Sequence, residues 1–185
     1  DHGTHVGGTV AAVNNNGIGV SGIAGGNGTK GSGVKIMSCQ IFIPTSQYAT
    51  SRTPQAIKYG ADNGAVISQN SWGGGSFSDA TRDAIDYFID FAGLDENNNQ
   101  VGPMRGGVVI FASGNDNSSY TSYPGAYEKV VTVNSMAPDY KRAYYSNYGT
   151  WTNITAPGGA ADYGNSYQVL STDINNRYAY MQGTS

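Results

Sequence analysis

Val108-Val109-Ile110-Phe111-Ala112-Ser113-Gly114-Asn115 is the stretch on which the fold turns. Its first five residues are apolar without alternation, mostly β-branched or aromatic. A run that is apolar at every position fits a strand covered on both faces. Helices that alternate with parallel strands provide such cover, so the run argues for an α/β domain. Ser113-Gly114 interrupts it and puts Asn115 just past the strand's carboxyl end. Open α/β sheets gather their functional residues there.

The flanks carry the same alternation. Upstream, Ser78-Asp79 caps a helix whose Ala84, Ile85, Phe88, Ile89 and Ala92 form one apolar stripe. Residues 94–107 are polar and Gly/Pro-punctuated, hence a surface loop. Asp95, Asn97 and Asn99 mimic the start of an EF-hand loop, but its Gly and closing Glu are missing. Residues 65–68 read as a short buried strand. Thr53-Pro54 opens a helix, with Thr53 as N-cap, and Gly64 closes it. Residues 34–42 read as a strand, with Cys39 as its buried thiol. Residues 14–19 form a turn. Residues 3–13 read as a helix with Val6, Val10 and Val13 at helical spacing and Asp1 as a candidate cap. Downstream, residues 130–133 are a strand, followed from Ala137 by short strands and turns.

The chain has 185 residues, enough for one domain with one sizeable core. Charged residues make up 12% and the formal net charge is −3, with no basic run of the kind a nucleic-acid binder needs. One cysteine cannot form an internal disulfide. No segment reaches the ~18 apolar residues of a membrane span. The chain opens on Asp1-His2 without an initiator Met, and a truncated start is the expectation.

Asp1-His2-Gly3-Thr4-His5-Val6 places an imidazole at the mouth of a helix. His2 and His5 are three apart, not the four of the zinc-protease helix, and the intervening Glu is absent, so a metal pair is disfavoured. Ser113-Gly114-Asn115 is the second segment and Gln182-Gly183-Thr184-Ser185 the third. Alone, each has a bland reading: a structural histidine, an Asn-rich turn, a Gly-Thr-Ser tail. Together they supply a hydroxyl nucleophile, a base and an oxyanion donor, the three parts an acyl-transfer enzyme requires. The nucleophile elbow of α/β-hydrolases is absent.

These motifs, in this order, resemble the subtilisin family of serine peptidases. The resemblance covers essentially the whole chain, including Asn70-Ser71-Trp72-Gly73-Gly74, Tyr123-Pro124-Gly125 and Thr155-Ala156-Pro157-Gly158. It implies a three-layer α/β fold with a mostly parallel central sheet flanked by helices, incomplete at both ends. It implies a serine endopeptidase acting through an acyl-enzyme, with His2 as base, Ser185 as nucleophile and Asn115 as oxyanion donor. Ser71-Trp72-Gly73 and Ala112-Ser113-Gly114 are implied as walls of the first substrate pocket, Trp72 facing outward and Ser122 at the base. That pocket is expected to be roomy, uncharged and suited to large apolar side chains.

The triad carboxylate precedes the histidine motif in the family, and Asp1, beside His2, cannot orient its ring. Asp62, Asp79 and Asp162 are expected at surfaces or caps. Without that carboxylate and the helix after the nucleophile, the isolated chain is expected to be inactive. No cofactor is implied for the chemistry. The turn Val13 to Val20 resembles the family's calcium loop, and a bound structural calcium or a plain Asn/Gly turn both fit it. The implied partner is a peptide or protein substrate, the implied form a monomer, and the implied location secreted or cell-surface. A catalytically silent subtilase used for binding is the alternative. Asn27-Gly28-Thr29, Asn117-Ser118-Ser119 and Asn153-Ile154-Thr155 match the glycosylation acceptor pattern, as chance allows in so Asn-rich a chain.

Overall fold

The computed structural model describes residues 2–42 and 52–185. In chain order its elements are α1 (His2–Ala11), α2 (Thr53–Asp62), β1 (Ile67–Asn70), α3 (Asp79–Phe91), β2 (Val108–Ala112), β3 (Val131–Met136), β4 (Ile154–Pro157), β5 (Val169–Asp173) and β6 (Arg177–Met181). Two short 3-10 turns, Ala161–Tyr163 and Asn165–Tyr167, lie between β4 and β5. Strands β1 to β4 pair in sequence order into one sheet. All three of its ladders are parallel, with Ile67 opposite Val108, Ile110 opposite Val131 and Val133 opposite Ile154. Strands β5 and β6 form a separate antiparallel hairpin. The α/β architecture with a mostly parallel sheet is therefore as the sequence implies.

Helix α3 starts as its sequence dictates. Ser78 is the N-cap and its Oγ accepts the Thr81 N–H at 3.4 Å. Ala84, Ile85 and Phe88 are buried on one face of α3. They pack with Ile57 and Ala61 of α2, with Val109 and Phe111 of β2, and with Ala92 and Val130. Burying one large aliphatic or aromatic side chain contributes about 1.5–3 kcal/mol, so this cluster is the main apolar anchor of the sheet. Helix α2 begins at Thr53, but the N-cap position is Arg52 and no side chain caps it. The start rests instead on Pro in the first turn. Asn63 is the C-cap, and Gly64 follows at φ 89°.

Four sequence expectations change. Strand β2 buries only Val109 and Phe111 completely, and its other face is half-buried. Strand β1 runs two residues later than expected, and only Asn70 in it is buried, with Ile67 58% exposed. Residues 34–41 join neither sheet. Val34, Ile36 and Met37 are exposed and so is Cys39, because among the described residues no sheet strand pairs with the run. In α1 the buried residues are His5 and Gly8, while Val13 lies beyond the helix at 54% exposure. Asp1 lies outside the described residues. Among those described, no helix is long and apolar enough to cross a membrane.

Candidate active site

Helix α1 is seated on the hairpin by polar contacts. His5 Nε2 lies 3.0 Å from the Val169 carbonyl and 3.1 Å from that of Ala179. Both partners are acceptors, so Nε2 carries the proton. Ser171 Oγ donates to the His5 carbonyl at 2.8 Å, and Thr172 Oγ1 to that of Thr4 at 2.8 Å. A Cβ at Gly8 would fall on Thr172 Oγ1 and Ser171 Oγ, so the helix backbone lies directly against β5. His2 occupies the first turn of this docked helix and is solvent-exposed. Partial burial of its ring, then the neighbouring His5 imidazole, hold its pKa below the ordinary value.

Asn115 sits past the carboxyl end of β2, as expected. Its Oδ1 accepts from Thr184 N at 2.9 Å and from Thr184 Oγ1 at 3.0 Å. Thr184 Oγ1 in turn accepts the Gly114 N–H at 3.1 Å. These bonds fix the carboxamide, turning Nδ2 toward Gly183, where an added Cβ would lie 3.5 Å away. The segment before Ser185 is tied along its length. Gln182 Nε2 donates to Tyr144 Oη at 2.6 Å, and Gln182 Oε1 accepts Ala161 N–H at 2.6 Å. Gly183 N–H donates to the Gly158 carbonyl at 3.1 Å. The Tyr145 hydroxyl braces that carbonyl, together with Gly159 and Ser135. Burial pushes the Tyr145 phenol up, so it remains a neutral donor.

The carbonyl oxygen of Ser185 accepts from Gln69 Nε2 at 3.4 Å and Ser71 Oγ at 3.2 Å. The carboxyl-end residues of β1 and β2 thus converge with Ser185. No hydrogen bond among the described residues joins His2 to this group; α1 and the hairpin carry it.

The expected pocket walls are partly redrawn. Trp72 does not face outward. Its ring packs edge-on against Phe111 at 5.1 Å and its Nε1 donates to Asn70 Oδ1 at 3.1 Å. A large aromatic next to the core gains more by burial than by exposure. Ser113 is buried, its Oγ aimed at the Asn147 carbonyl, so only backbone from that segment can line a wall. Ser122 Oγ accepts the Gly74 N–H at 3.2 Å, joining the two stretches that the sequence pairs there. A neighbouring apolar cleft of ≈ 200 Å³ is lined by Trp72, Gly73, Phe77, Ile85, Tyr123 and Tyr127 among others, but not by Ala112, Ser113 or Gly114.

The acidic residues behave as expected. Asp62 pairs with Lys58 and Tyr87, Asp79 pairs with Arg82, and Asp162 is exposed in a 3-10 turn. Asp95 accepts the Asn97 and Asn99 amides within its own loop. For the loop of residues 13–20, the fit to calcium is partial. Asn14 Oδ1 is buried without a hydrogen-bond partner, a ready ligand for a hard cation. Asn16 Oδ1 is taken by the Ile18 N–H, and no group of three or more His, Cys, Asp or Glu side chains gathers among the described residues. Further ligands would have to be backbone carbonyls or come from outside the loop.

Sequence reasoning missed Asn147. It is 3% exposed and bonds repeatedly to the loop carrying Asn115. Nothing in Tyr145-Ser146-Asn147-Tyr148-Gly149 marks it out, because its partners lie some thirty residues earlier in the chain.

With this geometry in place, the comparisons are unambiguous about kinship. The chain belongs to the subtilase family, whose model matches residues 1–185. It is 33% identical over 185 residues to a thermophilic serine proteinase of Bacillus sp. (strain AK1), covering 100% of this chain and 39% of the relative. It is 30% identical over 184 residues to Subtilisin BL of Lederbergia lenta, covering 57% of it. A solved protease from Pseudoalteromonas arctica PAMC 21717 superposes with a TM-score of 0.72 at 35% identity, over 99% of this chain and 53% of that one. The chain thus spans roughly two-fifths to three-fifths of the length of these relatives, and its fold is subtilisin-like.

Proposed function

We propose that the protein containing this chain is a serine endopeptidase that cleaves peptide bonds through an acyl-enzyme. The observation that carries this reading is the Asn115 carboxamide, held through Oδ1 by Thr184 N and Oγ1 in the residue before Ser185. An amide so oriented offers its Nδ2 to an oxygen that becomes negative as Ser185 attacks. In this mechanism His2 removes the Ser185 proton and returns it to the leaving amine, and water repeats the cycle on the acyl-enzyme. Burial favours the neutral ring of His2, the form a base must take, and a carboxylate from the rest of the protein would act in the opposite sense. The carboxylate that orients the ring is expected from the rest of the protein.

Backbone of Ser71, Trp72 and Gly73 on one side and of Ala112, Ser113 and Gly114 on the other would flank the first substrate side chain. The occupant is expected to be large and apolar. The chemistry needs no cofactor. A structural calcium beside Val13 to Val20 would take Asn14 Oδ1 as a ligand. The partner is a peptide or protein, the protein acts as a monomer, and it is secreted or cell-surface, as the names of relatives such as the extracellular protease of Xanthomonas campestris suggest.

Fluorophosphonate labelling of the whole protein, with mapping of the modified peptide, tests the reading. Label at Ser185, absent from Ser185→Ala and His2→Ala, is the expected result. A folded protein that takes no label would instead be a binding module built on a silent subtilase.

A further inference from the structure

The loop that carries Asn115 has few bonds of its own. Beyond the end of β2, the Ser113 and Gly114 carbonyls and the Asp116 and Ser118 amides all turn to one buried side chain and its backbone. Asn147 N–H donates to the Gly114 carbonyl at 2.9 Å. Its Nδ2 donates to the Ser113 carbonyl at 3.0 Å. Its Oδ1 accepts from Asp116 N–H at 2.9 Å and Ser118 N–H at 3.1 Å. These four backbone groups bracket Asn115 on both sides. An Asn side chain carries its donor and its acceptor on separate atoms, so Nδ2 can donate to the strand end while Oδ1 accepts two amides of the turn beyond it.

Three further contacts brace the clamp and its neighbours. Ser146 Oγ donates to the Asn147 carbonyl at 3.0 Å. Arg142 reaches Asn117 Oδ1 at 2.8 Å and lies over the Tyr148 ring at 4.4 Å. Gly114 completes the fit: it sits at φ 106°, and a Cβ there would strike Asn147 Nδ2.

We propose that Asn147 is a positioning residue of the reaction: it sets the loop so that Asn115 Nδ2 meets the developing oxyanion. The inference rests on the serine-peptidase reading for its kinetic arm only. Asn147 touches neither substrate nor reacting atoms; it acts through Asn115. Removing its side chain leaves the loop amides of residues 116 and 118 without that acceptor, so the loop that presents Asn115 to Thr184 loses its brace although the Thr184 bonds remain.

A double-mutant cycle in the whole protease tests the coupling. Asn147→Ala should lower kcat by about 10- to 100-fold, part of what one oxyanion donor supplies, with KM changed less than about threefold. In an Asn115→Ala background the same substitution should cost less than about threefold, since its target is gone. Equal losses in both backgrounds would overturn the proposal. Asn147→Asp keeps an acceptor for the two amides but loses the donor to Ser113 and faces Asp116 Oδ2, now 3.5 Å from Nδ2. It should fall on the same side of the cycle. Amide hydrogen exchange decides the matter without activity. In Asn147→Ala the Asp116 and Ser118 amides should exchange at least about tenfold faster while those of β2 do not change. Unchanged exchange at residues 116 and 118, or acceleration spread across the sheet, would refute the clamp. Failure of the unsubstituted protein to label at Ser185 would strike the functional reading and leave the exchange result to judge this one.

Discussion

Asn115 and His2 are held by regions built in different ways. Asn115 follows a strand whose Val109 and Phe111 are locked into an apolar cluster with α2 and α3, and Asn147 then aims its loop. His2 rides on a helix whose buried residues are an imidazole and a glycine. That helix is seated by hydrogen bonds from His5, Ser171 and Thr172. Apolar burial supplies stability in bulk but little direction, whereas a few short hydrogen bonds supply direction with modest net stability. The two regions therefore divide the labour: the sheet side keeps the domain folded, and the hairpin side sets where the candidate base stands.

Substitution can break that contrast at either end. On the proposed mechanism, His2→Ala in the whole protein should cut kcat by about 10⁶, the scale on which a subtilisin loses rate with its base. Asn115→Ala should cut it by about 10²–10³, the range known for removing such a donor from a subtilisin. Steady-state cleavage of a peptide series separates the two; comparable losses would mean the donor and base roles are misassigned. Phe88→Ala should lower unfolding free energy by about 3–5 kcal/mol, read by urea denaturation, with kcat per folded molecule nearly unchanged. Gly8→Ala should do the reverse. Its methyl pushes Ser171 and Thr172 away, costing about 10- to 100-fold in kcat for a displaced base with a smaller loss of stability. Equal stability losses in the two variants would erase the division.

The smallest effect is a titration. Burial and then the His5 imidazole disfavour the charged ring of His2, so the neutral form persists to lower pH than the ordinary 6.5. An NMR titration of the 185-residue chain should therefore place the His2 midpoint below that value. The carboxylate proposed to come from the rest of the protein would act in the opposite sense, so the midpoint in the whole protein should be higher. The gap between the two midpoints measures how strongly that carboxylate engages.

Much of this arrangement was legible in the residues, and the misses share a cause. Strand β2 and helix α3 announced themselves because their signals are local: an unbroken apolar run and a capped stripe. The three chemical motifs were legible for the same reason. Residues 34–41 carry an apolar run broken by Lys35, Ser38 and Gln40; its burial depends on strands beside it, and among the described residues it joins neither sheet. The buried face of α1 was misread because His5 and Gly8 carry no hydrophobic signal; they serve through hydrogen bonds and close approach. Trp72 lines the cleft but does not face outward as its motif implies, because its ring packs on Phe111, a partner some forty residues away in the chain. Asn147 was invisible because its value depends wholly on residues 113–118, far from it in the chain.

The seat of α1 also has a consequence in time. His5 is bonded to carbonyls 164 and 174 residues further along the chain. At about 5–20 residues per second, a ribosome needs roughly 10–30 s to make that separation. Through that interval the helix bearing the candidate base has been synthesised but has nothing to dock on. Closing so long a loop adds an entropic cost that grows only as the logarithm of its length, so the delay is set by synthesis more than by the search. The candidate base thus waits for its seat until translation has passed residue 179.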